Sequence, residues 1–335
     1  MNLFQKFLAV FILNLFLFPV FSQGQKAEEE KPVKIPKEVT KVIEANLPSR
    51  QARLDIPLSY ADNLYFPYQA DYFTVFLLKI KNKALGYATP FMEEKKEEEE
   101  EDKILLCSID FFFRIYSLGN DGQIKSIHKE IYLPYGNQVE SKEYNSEEEN
   151  IYSFGTIFPP GRYLLSAAAV SLDLTKIGLV FQEFYLPFPS DFKKGLGLTP
   201  LFFVKSLKRM PSPDSAINIY KNVFHYTVLE IEPFFEHEFD LAEKLDIFYF
   251  ILGAAPAEDG KFSFEVSYIY KKSEEEVAKF EPQVLENIPA PLVSVPLPLL
   301  FKNKKLEPGE YILEITVKDK IGKKEGKGNI CFITK

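Results

Sequence analysis

Two stretches decide the fold: PGRYLLSAAAVSLD at 160–173 and PGEYILEITVKD at 308–319. Each opens with Pro-Gly, a turn signal, and passes at once into an apolar strand. In the second stretch Tyr311, Leu313, Ile315 and Val317 fall on one face, and Glu310, Ile312, Glu314 and Thr316 on the other. Each strand ends at an Asp, at 173 and 319. A Lys and Gly-bearing turn follows, Lys176-Ile177-Gly178 in the first copy, and then a closing strand, Leu179 to Leu186 and Gly328 to Thr334. A Tyr opening the penultimate strand, here Tyr163 and Tyr311, stands where antiparallel sandwiches place a corner tyrosine whose hydroxyl bonds back to the backbone.

Working outward, the upstream parts also repeat. Lys103 to Leu118 is an apolar and aromatic run, Asn120-Asp121-Gly122 a turn signal, and Gln123 to Leu133 a resuming strand. The second copy has Lys244 to Leu252, a loop ending in Asp259-Gly260, and Lys261 to Lys271. Phe262, Phe264, Val266, Tyr268 and Tyr270 alternate there with Ser263, Glu265 and Ser267. Asp-Gly between two such runs reads as a hairpin turn in both copies, because Gly supplies the positive φ. Short strands punctuated by Pro and Gly, repeated once, predict an all-β fold of two tandem immunoglobulin-like antiparallel β-sandwich domains. At 335 residues the chain has length for two cores. The expected division is 50–190 and 200–335, joined by a linker at 191–199 where Pro189, Gly195 and Gly197 interrupt the strands.

The start reads as a cleaved signal peptide, 1–22: Lys6 is the positive n-region, Phe7 to Val20 the apolar core, and the cut falls after Ser22. A membrane anchor is the rival, but the run contains Asn14 and Pro19 and falls short of the ~20 apolar residues a spanning helix needs. Residues 23–49 are a polar spacer, a flexible lead or short helix. The mature chain is thus expected to be exported, to the periplasm, the cell surface or the medium, without membrane insertion.

A formal charge of −8, which becomes −9 when Lys6 leaves, repels phosphate backbones, so no nucleic acid partner is expected. The acidic loop 92–103, dense in Glu, lacks the alternating Asp and Gly geometry of a calcium loop and reads as a solvated connection. Cys107 and Cys331 fall in strands of different domains, leaving two possibilities: a bridge, or two buried free thiols.

Signatures of chemistry fail in turn. His237-Glu238 opens like a zinc-protease helix, but the fifth position is Leu241. His128 and His225, the other histidines, fall in strand or loop positions. Gly195-Leu196-Gly197 lacks the third Gly of a nucleotide loop, and no Gly-x-Ser-x-Gly occurs. No catalytic, cofactor-binding or metal-ligating residue is therefore assigned. Aromatics are the remaining candidates, with 32 Phe and 18 Tyr but no Trp. Phe111-Phe112-Phe113 and Phe234-Phe235 set neighbours on opposite strand faces, so at least one of each group is a candidate to face outward.

The pattern Pro-Gly-x-Tyr, apolar strand, Asp, Lys-x-Gly and closing strand, given twice after a signal peptide, resembles the tandem β-sandwich tail of bacterial exported proteins of the von Willebrand factor A-related and GWxTD types. It covers 50–335. This chain has neither the metal-binding A domain nor a GWxTD motif, and no ligand role of those parts carries over. The resemblance implies an exported, non-catalytic module of the bacterial cell envelope that binds or assembles with protein, either itself or an envelope partner. The alternative is a carbohydrate-binding sandwich with a glycan ligand.

Overall fold

The computed structural model describes residues 35–89, 103–214, 216–240, 244–301 and 304–335. The expected signal peptide, the first part of the spacer and 92–102 of the acidic loop lie outside the described residues. One α-helix, α1 (Lys37–Asn46), precedes a succession of strands. In chain order these are β1 (Arg53–Leu54), β2 (Leu58–Tyr68), β3 (Asp71–Lys81), β4 (Ile104–Leu118), β5 (Ile124–Glu140), β6 (Glu149–Phe158), β7 (Gly161–Ser171) and β8 (Ile177–Leu186). Then come β9 (Gly197–Leu198), β10 (Phe202–Arg209), β11 (Tyr220–Lys221), β12 (Phe224–Tyr226), β13 (Leu229–Pro233), β14 (Glu238–Phe239), β15 (Lys244–Leu252) and β16 (Phe262–Lys272). The last are β17 (Glu275–Lys279), β18 (Gln283–Ile288), β19 (Leu292–Pro298), β20 (Leu300–Phe301), β21 (Lys304–Lys305), β22 (Gly309–Asp319) and β23 (Glu325–Thr334).

These strands build two compact units of the same topology. In the N-terminal unit one sheet runs β1-β8-β7-β4-β5 and the other β11-β6-β3-β2. In the C-terminal unit the sheet β14-β23-β22-β16-β17 matches the first, with β18 also on β16, and β10-β15-β19 matches β2-β3-β6. The matched ladders are antiparallel except at one edge, where β14 runs parallel to β23 but β1 runs antiparallel to β8. This is an immunoglobulin-like sandwich with its extra strand on the β4 side, the expected fold class.

One equivalence differs from the sequence reading. Both Asp-Gly turns have the same local bonds: Gln123 N–H and Lys261 N–H each donate to the Asp Oδ1 two residues back, at 3.1 Å, and Gly122 and Gly260 have φ of 77° and 78°. Yet the first closes the β4–β5 hairpin, whereas the second joins β15 to β16, which lie in different sheets. The counterpart of β4 is therefore β16 and not the run at 244–252. An Asx turn with a left-handed Gly reverses the chain over four residues, and the longer loop ahead of Asp259 crosses the ~10 Å between layers.

Each core is an inward strand face. Tyr311, Leu313, Ile315 and Val317 are buried as the alternation requires, against Phe264, Val266, Tyr268 and Tyr270. In the N-terminal unit the core is aromatic: Phe113 stacks on Phe154 at 3.8 Å, and Phe76 lies 5.0 Å from both Phe154 and Phe184. Such pairs add ~0.5–1.5 kcal/mol each beyond area burial. All of Phe111, Phe112 and Phe113 are buried; Phe112 is the one on the outer face, and it is covered. The spacer explains Phe112, because its described part forms α1, whose Val39 and Ile43 sit one helical turn apart and pack on Phe112, Ala168, Val170 and Leu179. Arg114, on the same outer face, donates to Glu44 of α1 at 3.4 Å and to Glu130 at 2.6 Å. Phe234 is half-buried, stacked on Phe239 at 4.4 Å.

The Gly of the first Lys-x-Gly turn has a steric cause. A Cβ on Gly178 would stand 2.2 Å from the backbone oxygen of Ile56, where β1 closes the sheet edge. Gly178→Ala should therefore destabilise by about 1–3 kcal/mol, as an overpacked site does. A chemical melt of the full chain measures it, and an unchanged midpoint would refute the close approach.

The chain does not divide at one point. One unit comprises Glu29–Pro187 and Lys208–Glu230, the other Phe188–Leu207 and Ile231–Lys335. The 200–335 span is thus interrupted, and 208–230 folds with the N-terminal unit. Pro and Gly marked local breaks near 190, but they carry no information about which sheet a later segment joins.

Candidate functional site

The interrupting segment 208–230 and the surface under it are the most developed polar and aromatic constellation outside the cores. Its two stems are tied by Met210 N–H donating to Val228 O at 2.7 Å and by a Lys208–Glu230 ion pair at 3.1 Å. Between them β11 adds to the edge of β6, Tyr220 opposite Ser153 and Lys221 opposite Tyr152. Asn222 takes a left-handed φ of 61°, which Asn tolerates, and grips Ile151 twice: its N–H donates to Ile151 O at 2.7 Å and its Oδ1 accepts from Ile151 N–H at 2.9 Å. Its amide then starts a chain of buried amides. Asn222 Nδ2 donates to Asn150 Oδ1 at 2.9 Å, Asn150 Nδ2 to Asn82 Oδ1 at 3.0 Å, and Asn82 Nδ2 to Glu148 and to Asn145 O, both at 2.9 Å.

Aromatic anchors follow at alternate positions. Phe224 stacks on Phe66 at 5.8 Å, and Tyr226 packs on Phe66 at 4.8 Å and on Phe73 at 5.9 Å while donating to Pro67 O at 2.9 Å. Phe73 lies over Gly155, where a Cβ would stand 2.2 Å from its ring.

On the other side of the strand His225 joins a clamp. Its Nδ1 is 3.0 Å from Asp214 and its Nε2 3.5 Å from Glu230, while its ring lies 4.0 Å from that of Tyr220, whose hydroxyl also donates to Asp214. The Tyr220 hydroxyl, then His225, holds Asp214 below the usual carboxylate range, and Lys208 does the same for Glu230. Burial and Asp214 push Tyr220 up to about 12. Carboxylates depressed on folding stabilise above their ordinary values and stop doing so as pH falls through the lower folded values. Protection of the 216–230 amides from hydrogen exchange should therefore fall below about pH 4. Asp214→Asn should flatten that dependence, and equal protection at pH 3 and 6 in the parent chain would contradict the clamp.

The other histidines and the cysteines are placed singly. His128, on β5, stacks on Phe158 at 5.5 Å and near Tyr163 at 5.2 Å, and burial lowers its pKa. His237 precedes the two-residue strand β14, not a helix, and its Nδ1 is 3.0 Å from Cys331 O. Among the described residues no three His, Cys, Asp or Glu are gathered as a metal site. Both cysteines are free, Cys107 buried with its thiol pKa raised and Cys331 exposed. The reading of two buried thiols thus fails for Cys331, which points outward between inward Ile330 and Phe332. Composition did not single out 208–230, although Tyr220, Asn222, Phe224 and Tyr226 alternate as a strand does.

The fold and this site define a tandem immunoglobulin-like protein with a strand added to its first unit. The chain matches no protein-family model and no curated protein. Among solved structures it is similar to red sea bream transglutaminase, at 7% identity and TM-score 0.24, over 90% of this chain and 34% of that one. It is also similar to a Salmonella alpha-2-macroglobulin variant, at 12% identity and TM-score 0.18, over 85% of this chain and 16% of that one. The chain spans about a third and a sixth of those proteins, and at these scores neither carries an argument about activity.

Proposed function

We propose that the chain is an exported, non-catalytic interaction or assembly module of the bacterial cell envelope, holding a protein partner or copies of itself. The observation that carries this reading is β11 on β6: a sheet edge takes up a remote extended segment through backbone bonds and side-chain anchors, the chemistry of strand-addition recognition. The polar clusters support it too, since Asn82, Asn150, Asn222, Asp214 and His225 all serve to hold that segment. Export rests on the N-terminal reading, and among the described residues no helix is long and apolar enough to cross a membrane. The likeness to the tandem tails of exported bacterial proteins fits the same role.

The test is expression in the native envelope, with N-terminal sequencing and in situ crosslinking. The expected result is a mature chain beginning at Gln23 and discrete protein adducts, with no signal on a glycan array. A chain that stays uncut and uncrosslinked, or that binds glycans selectively, would overturn the reading.

A further inference from the structure

We propose that the β6 edge with the Phe66–Phe73 face is an acceptor groove for an extended strand, and that residues 216–230 of a second copy can fill it in place of the chain's own. The inference rests on the interaction-module reading and names its surface and partner. By their contacts residues 208–230 group with the first unit, apart from the chain on either side; within them β11 lies on the β6 edge, while β12 pairs with β13, which continues onto β10. Recognition is that of strand addition. Backbone bonds run along β6, Ser153 Oγ donates to Val223 O at 2.5 Å, and side-chain anchors alternate at Asn222, Phe224 and Tyr226. These contacts are made by residues 220–226, and Tyr220, His225 and Glu230 of the clamp travel with the segment, while Asp214 stands just ahead of it. A second copy therefore brings an identical set of contacts, and the resident segment differs from it only in its effective concentration. The exposed Pro211-Ser212-Pro213 stretch leads into the segment.

A fluorescent peptide of residues 216–230 tests this against the full chain. In wild type the groove is filled, so the peptide should bind weakly. In the full-length double variant Phe224→Ala with Tyr226→Ala the resident anchors are gone while Phe66, Phe73 and the β6 edge remain. The peptide should bind this variant at least tenfold more tightly, and a peptide carrying the same two replacements should not bind. Sedimentation of the double variant mixed with wild type should show a complex that excess peptide dissolves. Retained exchange protection in β3 and β6 reports that the double variant is folded, and if it is not, Asn222→Ala carries the same measurement. A folded variant that does not bind the peptide overturns the proposal. Self-association that persists in excess peptide overturns the exchange while leaving the interaction-module reading intact.

Discussion

Tyr311→Ala should cost about 3–5 kcal/mol of stability, as truncation of a buried aromatic does, whereas Tyr311→Phe should cost only about 0.5–1.5 kcal/mol. The ring and the hydroxyl do separate work. The ring stacks on Phe332, its partner across the β22–β23 ladder, at 5.5 Å, and the hydroxyl donates to Glu307 O at 2.7 Å, pinning the Pro-Gly turn to the strand it starts. Tyr163 repeats both contacts, stacking on its ladder partner Phe184 at 5.2 Å and donating to Pro159 O at 2.9 Å. Burial pushes Tyr163 up to about 12, so its hydroxyl remains a donor across the neutral range. Tyr163→Ala and Tyr163→Phe should therefore divide in the same proportion. Denaturant melts of the full chain, read with unit-specific hydrogen exchange, measure the split. A Tyr311→Ala chain that melts like wild type would mean the corner is not structural.

Phe224→Ala is the second large effect expected, again about 3–5 kcal/mol for the site it vacates. It differs in where the loss is felt. Phe224 is almost fully buried against Phe66 and lies between Asn222 and Tyr226, so its removal should open 216–230 first and expose the edge of β6. Exchange protection should vanish over that segment, while the β3–β6 ladder beneath it and the β22–β23 ladder of the other unit keep theirs. Tyr226→Phe, which loses only the bond to Pro67 O, should leave the segment seated. Uniform loss across both units would show instead that the segment is no local element.

The strands and corners were legible because their signals are local. Alternation over 308–319 gives the inward face directly, and Pro-Gly-x-Tyr places a ring and a hydroxyl whose partners lie four residues back and one strand over. Legibility stopped where a residue's partner is set by topology. Asp259-Gly260 makes the turn its chemistry dictates, but whether the next strand pairs with the last one or with another sheet depends on contacts 50 residues away. Phe112 reads as a candidate outward aromatic because the helix that covers it lies in a polar stretch with only two inward residues, Val39 and Ile43. The candidate site was the least visible part. Asn82, Asn150 and Asn222 are unremarkable until three separate chain segments bring their amides together.

The interleaving of the two units also sets an order of events as the chain emerges, N-terminus first, into the compartment where it folds. Once Pro187 is out every β3–β6 contact can form, but the segment that caps β6 ends 43 residues later, at Glu230. Delivered at the ~5–20 residues per second of synthesis, that interval is roughly 2 to 9 s, long against the folding of a small sandwich. For that time the first sandwich presents an open edge beside Phe66 and Phe73, and its closure waits on the chain behind it.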